Sequence, residues 1–73
     1  MNDSDLTIRV LATIRTDMFA KRMILENIRV ANYSITIWDS MLDTKICYAI
    51  KCINNAVNEL NEIIDRINEL SKE

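Results

Sequence analysis

The sequence predicts an all-α chain: two long antiparallel helices forming a helical hairpin, whose broad apolar face is covered by dimerising into a four-helix bundle or coiled-coil assembly. Three observations predict it. Apolar residues of the second half recur by fours and threes over four heptads, the spacing that keeps one side of a helix turned the same way. Among 73 residues there is no Gly and no Pro, so neither half carries a helix breaker. Finally, 49% of the residues are hydrophobic and 12 are Ile, enough for a packed core and too many for a disordered tail.

The first helix is expected over about 5–31. Asp3 or Ser4 can cap it, and Leu11, Ile14, Met18, Leu25 and Ile28 share a face widened by Leu6, Val10 and Ile24. Lys21 interrupts that face, although a lysine stem can lie along apolar surface with its head in water. A smaller patch (Ile8, Phe19, Met23, Val30) lies on the far side. Between the two runs a stripe of Arg15, Arg22 and Arg29, spaced by seven. Residues 32–39, Asn-Tyr-Ser-Ile-Thr-Ile-Trp-Asp, are the expected connection, because their polar and β-branched members lower helix propensity. Folding about residues 35–36 brings Arg15 near Glu59 and Arg9 near Glu62.

The second helix is expected over about 40–72, with Asp39 and Ser40 as N-caps and Ser40 with Asp43 as a weak capping box. Leu42, Ile46, Ala49, Ile53, Ala56, Leu60, Ile63, Ile67 and Leu70 form its ridge, and Ile50, Val57 and Ile64 add a third apolar row beside it. A two-helix hairpin is too narrow to cover a stripe three positions wide. The expected self-association or partner face is therefore Leu42, Ile46, Ile50, Ile53, Val57, Leu60, Ile63, Ile64, Ile67 and Leu70.

All 73 residues are expected to form one helical domain. A chain this small is marginally stable without metals, disulfides or self-association. It has no His and only two Cys, so self-association is the remaining route and a homo-oligomer is expected. Without glycine it lacks a phosphate-cradling loop, and without histidine it lacks the usual acid–base and metal chemistry. No apolar run approaches the ~18–20 residues that span a bilayer, and the acidic start is the reverse of a signal peptide. The expectation is a cytoplasmic protein with no membrane association.

Candidate chemistry is sparse. Cys47 and Cys52 lie about 140° apart round a helix, which suits neither a shared metal nor a redox pair, and they read as ordinary half-buried residues. Glu59, Glu62, Asp65 and Glu69 read as a solvated face, with Glu62 pairing to Arg66. No catalytic, cofactor-binding or metal residue is expected, and no enzyme. The Arg15, Arg22 and Arg29 stripe is a possible phosphate contact, or else a polar band pairing with acidic residues of a neighbouring helix. The net charge of −2 and pI near 5.0 argue against nucleic acid, where a basic footprint is expected. A non-enzymatic adaptor, inhibitor or regulator with a protein partner is the function expected first.

A second reading starts from Leu11-Ala-Thr-Ile-Arg-Thr16, which alternates like a strand, followed by a helix from Asp17 to Val30 and a turn at Asn32-Tyr-Ser34. Over roughly residues 11–50 this order is similar to the ribbon-helix-helix DNA-binding regulators. That resemblance implies a dimer reading the major groove through a β-ribbon carrying Thr13 and Arg15. A third reading is a structural assembly subunit.

Overall fold

In a computed structural model, which describes residues 3–32 and 39–72, the chain is all-helical and built as a hairpin. Helix α1 runs Asp3–Asn32 and helix α2 runs Ser40–Ser71. Both lie within two residues of the boundaries expected from sequence. The middle of the expected connection, residues 33–38, lies outside the described residues. The helices pack along their length into a rod of 57 × 17 × 11 Å.

Residues 11–16 are helical throughout, so the strand on which the ribbon-helix-helix resemblance depends is not formed. The local reason is visible. Thr13 and Thr16 donate their hydroxyls to the carbonyl oxygens of Arg9 and Ala12, at 2.9 and 3.0 Å, as Thr7 does to Asp3 at 2.9 Å. A threonine whose hydroxyl is satisfied one turn back can remain in a helix despite its β-branch. The alternation of residues 11–16 is the trace of two helical rows, with Leu11 and Arg15 half-buried against α2 and Thr13 and Thr16 exposed.

Helix α2 begins on Asp39, whose extended backbone (φ −98°, ψ 177°) and carboxylate accepting from the Leu42 N–H at 2.8 Å make it the N-cap. Ser40 is thus the first helical residue, and Asp43 is drawn to α1 instead of closing a capping box. Asp3 and Asp5 in the first turn of α1, Asp43 in that of α2 and Arg29 in the last turn of α1 all favour the helix dipole.

Among the described residues two side chains form the interior: Val57 at 3% and Ile64 at 8% exposure. Both belong to the third apolar row of α2. The ridge beside it remains at the surface, with Leu42, Ile63 and Leu70 exposed and Ile46, Ile53, Leu60 and Ile67 half-buried. A single hairpin leaves most of its apolar side uncovered.

Candidate functional site

The seam between the helices shows how the chain sorts its surfaces. On α1 the half-buried positions, Ala12 apart, step by fours and threes through Ser4, Ile8, Leu11, Arg15, Met18, Arg22, Leu25 and Arg29. On α2 the matching positions are Asp43, Cys47, Ile50, Asn54, Val57, Asn61 and Ile64. Each helix therefore contributes one mainly apolar row and one mainly polar row to the seam, and the arginine stripe is the polar row of α1.

Hydrogen bonds fix how these rows meet. Arg15 Nη1 donates to Asn61 Oδ1 at 2.7 Å and Arg22 Nη1 to Asn54 Oδ1 at 2.8 Å. A step of seven forward on α1 is answered by a step of seven back on α2, which is the antiparallel register. One heptad further on, Arg29 comes beside Cys47, with which it lines a hollow of about 360 Å³. It reaches one turn back along α2 to grip Asp43 at 2.7 and 3.1 Å. Arg22 is the most enclosed of the stripe's ion-paired arginines, with its side chain 27% exposed. Its Cζ stands 5.0 Å from the Phe19 ring centroid, a cation–π contact of about 0.5–1 kcal/mol. Its buried Nε lies 3.9 Å from Glu26 Oε1, close enough for Coulomb attraction but too far for a hydrogen bond.

Several expectations change here. Arg15 meets the amide of Asn61 and not Glu59, because the helices align residue 15 with 61 and residue 22 with 54; among the described residues Arg9 forms no ion pair with Glu62. Arg66 pairs with Glu69 at 3.2 Å in place of Glu62. Cys52 is exposed, and only Cys47 is half-buried. Arg15, Arg22 and Arg29 do pair with the neighbouring helix, but two of their three partners are neutral amides. Their guanidinium groups bond across the seam, two to amides and one to a carboxylate.

Since the polar row of α1 bonds to the polar row of α2, the apolar rows (Leu11, Met18, Leu25 against Ile50, Val57, Ile64) must meet along the opposite edge of the seam. Whatever flanks those rows on either helix then lies on the same side of the hairpin. On α1 the flank holds Leu6, Val10, Ile14, Ile24 and Ile28, between 41% and 56% exposed. On α2 it holds Leu42, Ile46, Ile53, Leu60, Ile63, Ile67 and Leu70, with the small Ala49 and Ala56 near mid-length. One continuous apolar face results, with a polar seam behind it. Its principal break is Lys21, which binds Asp17 at 3.2 Å.

Elsewhere the surface offers little chemistry. A hollow of about 500 Å³ on the outer side of α1 is lined by Ala12, Thr13, Thr16, Asp17 and Ala20; both hydroxyls donate to backbone carbonyls and Asp17 pairs with Lys21. Among the described residues no group of three or more His, Cys, Asp or Glu side chains is placed to hold a metal ion, and no helix is long and apolar enough to cross a membrane. Comparisons with family models, with curated proteins and with solved structures found no match to this chain.

Proposed function

We propose that this chain is a non-enzymatic interaction protein of the adaptor, inhibitor or regulator kind. It works through its broad apolar face and self-associates there, two hairpins closing as a four-helix bundle. The observation that carries the reading is the segregation of the hairpin into a bonded polar seam and a broad uncovered apolar side, larger than the patch of Phe19, Met23, Val30, Met41 and Tyr48 exposed elsewhere. Monomeric proteins rarely expose contiguous apolar patches larger than a few hundred Å², and larger ones mark interaction surfaces.

Surface area supports the same reading. The chain exposes 5700 Å², whereas a compact monomer of 8.5 kDa exposes about 4,700 Å² by the usual size scaling. The excess, on the order of 1,000 Å², is comparable to the ~800 Å² that each partner contributes to a standard stable interface. We place the protein in the cytoplasm on the two free thiols, Cys47 and Cys52, which suit a reducing compartment.

Sedimentation equilibrium tests the reading. A mass of two chains at micromolar concentration is expected. Ile53→Asp with Ile67→Asp should return the mass to one chain or unfold the protein, by setting unpaired charge in a dry interface. A helical single chain at every concentration, with a melting temperature unmoved by those substitutions, would reject it.

A further inference from the structure

The apolar face is close to symmetric about its own mid-length, and this points to how a second copy sits on it. The Arg15–Asn61 and Arg22–Asn54 bonds bring residue 19 of α1 level with residues 56–57 of α2, near the middle of both helices. Asp17 and Lys21 lie equally far on either side of residue 19. Outward from them come Ile14 and Ile24, then Val10 and Ile28. On α2, Ile53 and Leu60 flank the midpoint equally, as do Ile46 and Ile67.

We propose that two hairpins pack face to face about a two-fold axis running across the helices at this level, with α1 on α1, α2 on α2 and the turns at opposite ends. The proposal rests on the self-association reading above and adds its geometry. The axis sets Asp17 of each chain opposite Lys21 of the second copy, giving two reciprocal ion pairs. It sets Ile14 opposite Ile24 and Val10 opposite Ile28 of the second copy on one side of the bundle, and Ile53 opposite Leu60 on the other. The polar break in the face thus meets its own complement.

The competing arrangement has its two-fold axis along the helices and both turns at one end. It lays α1 on α2 of the second copy, so the Asp17–Lys21 pair, with side chains 62% and 65% exposed in the single hairpin, comes down on Ile53, Ala56 and Leu60. Covering a charged pair with apolar groups that offer no hydrogen bond is costly. An isologous contact needs a self-complementary patch, and only the crossed axis makes this one self-complementary.

Two measurements test the geometry. Spin labels on Thr44→Cys, in a chain also carrying Cys47→Ser and Cys52→Ser, should lie about 40 Å apart in the dimer, from 1.5 Å of rise per residue over the offset of residue 44 from the axis. Turns at one end would give about 20 Å, two helix diameters. Separately, Asp17→Lys and Lys21→Asp chains should each dimerise about tenfold more weakly, yet pair preferentially with each other when mixed, as native mass spectrometry will show. A dimer with the short distance and no preference for the mixed pair would overturn the geometry while leaving self-association intact. A single-chain mass under all conditions would overturn both.

Discussion

Arg29 and Asp43 join α1 to α2 through two hydrogen bonds, Nε to Oδ1 at 2.7 Å and Nη2 to Oδ2 at 3.1 Å. Among the described residues and the bonds given above, it is here that the arginine stripe meets a carboxylate across the seam, and this favours one register. If α2 slid by a heptad, Arg15, Arg22 and Arg29 would face Asn68, Asn61 and Asn54, so amide acceptors alone do not define the pairing. Only the observed alignment gives Arg29 a bidentate partner, which is both stronger and more directional than an amide oxygen.

Asp43→Asn should therefore loosen the hairpin more than its surface position suggests. With Arg29 and Asp43 side chains 40% and 26% exposed, a coupling of about 1–2 kcal/mol is expected, above the ~0–1 kcal/mol of fully exposed pairs. A double-mutant cycle with Arg29→Met, read by urea denaturation at fixed protein concentration, measures it. Coupling below about 0.3 kcal/mol, inside the additivity error of unlinked sites, would mean the pair does not set the register.

Ile63 and Ile64 are neighbours with opposite roles. Ile64 is 8% exposed against α1, while Ile63 is 45% exposed on the free side. Ile64→Ala should cost about 2–4 kcal/mol of folding stability through lost burial and the cavity left behind. Ile63→Ala should cost the fold less than about 1 kcal/mol and act mainly on the dimer dissociation constant. Denaturation and sedimentation on the two variants separate these effects, and equal losses of stability would contradict the placement of the apolar face.

The helices themselves were legible because fours-and-threes spacing, with no Gly or Pro to interrupt it, admits few other structures. The position of the seam was harder to read. Hydrophobic periodicity highlights the ridge Leu42, Ile46, Ala49, Ile53, Ala56 and Leu60, yet α1 packs one residue further round, on Asp43, Cys47, Ile50, Asn54, Val57 and Asn61. Apolarity scoring misses a row whose polar residues are satisfied by a polar row on the other helix. One signal was available: Asn54 and Asn61 share the seven-residue spacing of Arg15 and Arg22. Matching the two periods locates the seam, whereas folding the chain about residues 35–36 points Arg15 at Glu59.

Asp39 caps α2 through a 2.8 Å bond to the Leu42 N–H. Asp39→Ala should remove about 1 kcal/mol, whereas Asp39→Ser, which keeps an acceptor, should lose much less. For a chain of this size 1 kcal/mol corresponds to roughly 4–8 °C in Tm, measurable by circular dichroism at matched concentration. Equal melting of the two variants would show that residues ahead of α2 hold its first turn by other means.

Thiol chemistry offers an independent check on the seam. Cys52 is exposed while Cys47 is half-buried beside Arg29 and Ile50. Under native conditions a bulky disulfide reagent should modify Cys52 first and Cys47 only at a rate limited by opening of the hairpin, because access governs exchange as much as thiolate content does. Peptide mapping after partial reaction will show the order. Cys47 reacting as fast as Cys52 would mean the turn end of the seam is open in solution.

The most informative substitution exchanges the polar centre of the seam for an apolar one. Arg22 and Asn54 share a 2.8 Å bond in which the guanidinium is partly desolvated and one nitrogen, Nε, stays without a hydrogen-bond partner. Removing Asn54 alone, as Asn54→Leu, leaves that charge worse satisfied and should destabilise the protein by about 1–3 kcal/mol. Replacing both, Arg22→Leu with Asn54→Leu, turns the layer into ordinary apolar packing and should leave stability at or above the original, since a paired polar group in a seam is often no better than a hydrophobic one. The register should stay as it is, because a slip by a heptad would set the leucine at position 22 against Asn61 and Arg29 against the leucine at position 54, and would break the Arg29–Asp43 pair. The expected result is therefore a Tm at or above the original together with a single sharp set of peaks in a nitrogen–proton correlation spectrum. Extra amide resonances or broadened lines in the double variant would mean that the Arg22–Asn54 layer is needed to hold the register, as a polar seam residue is in some coiled coils.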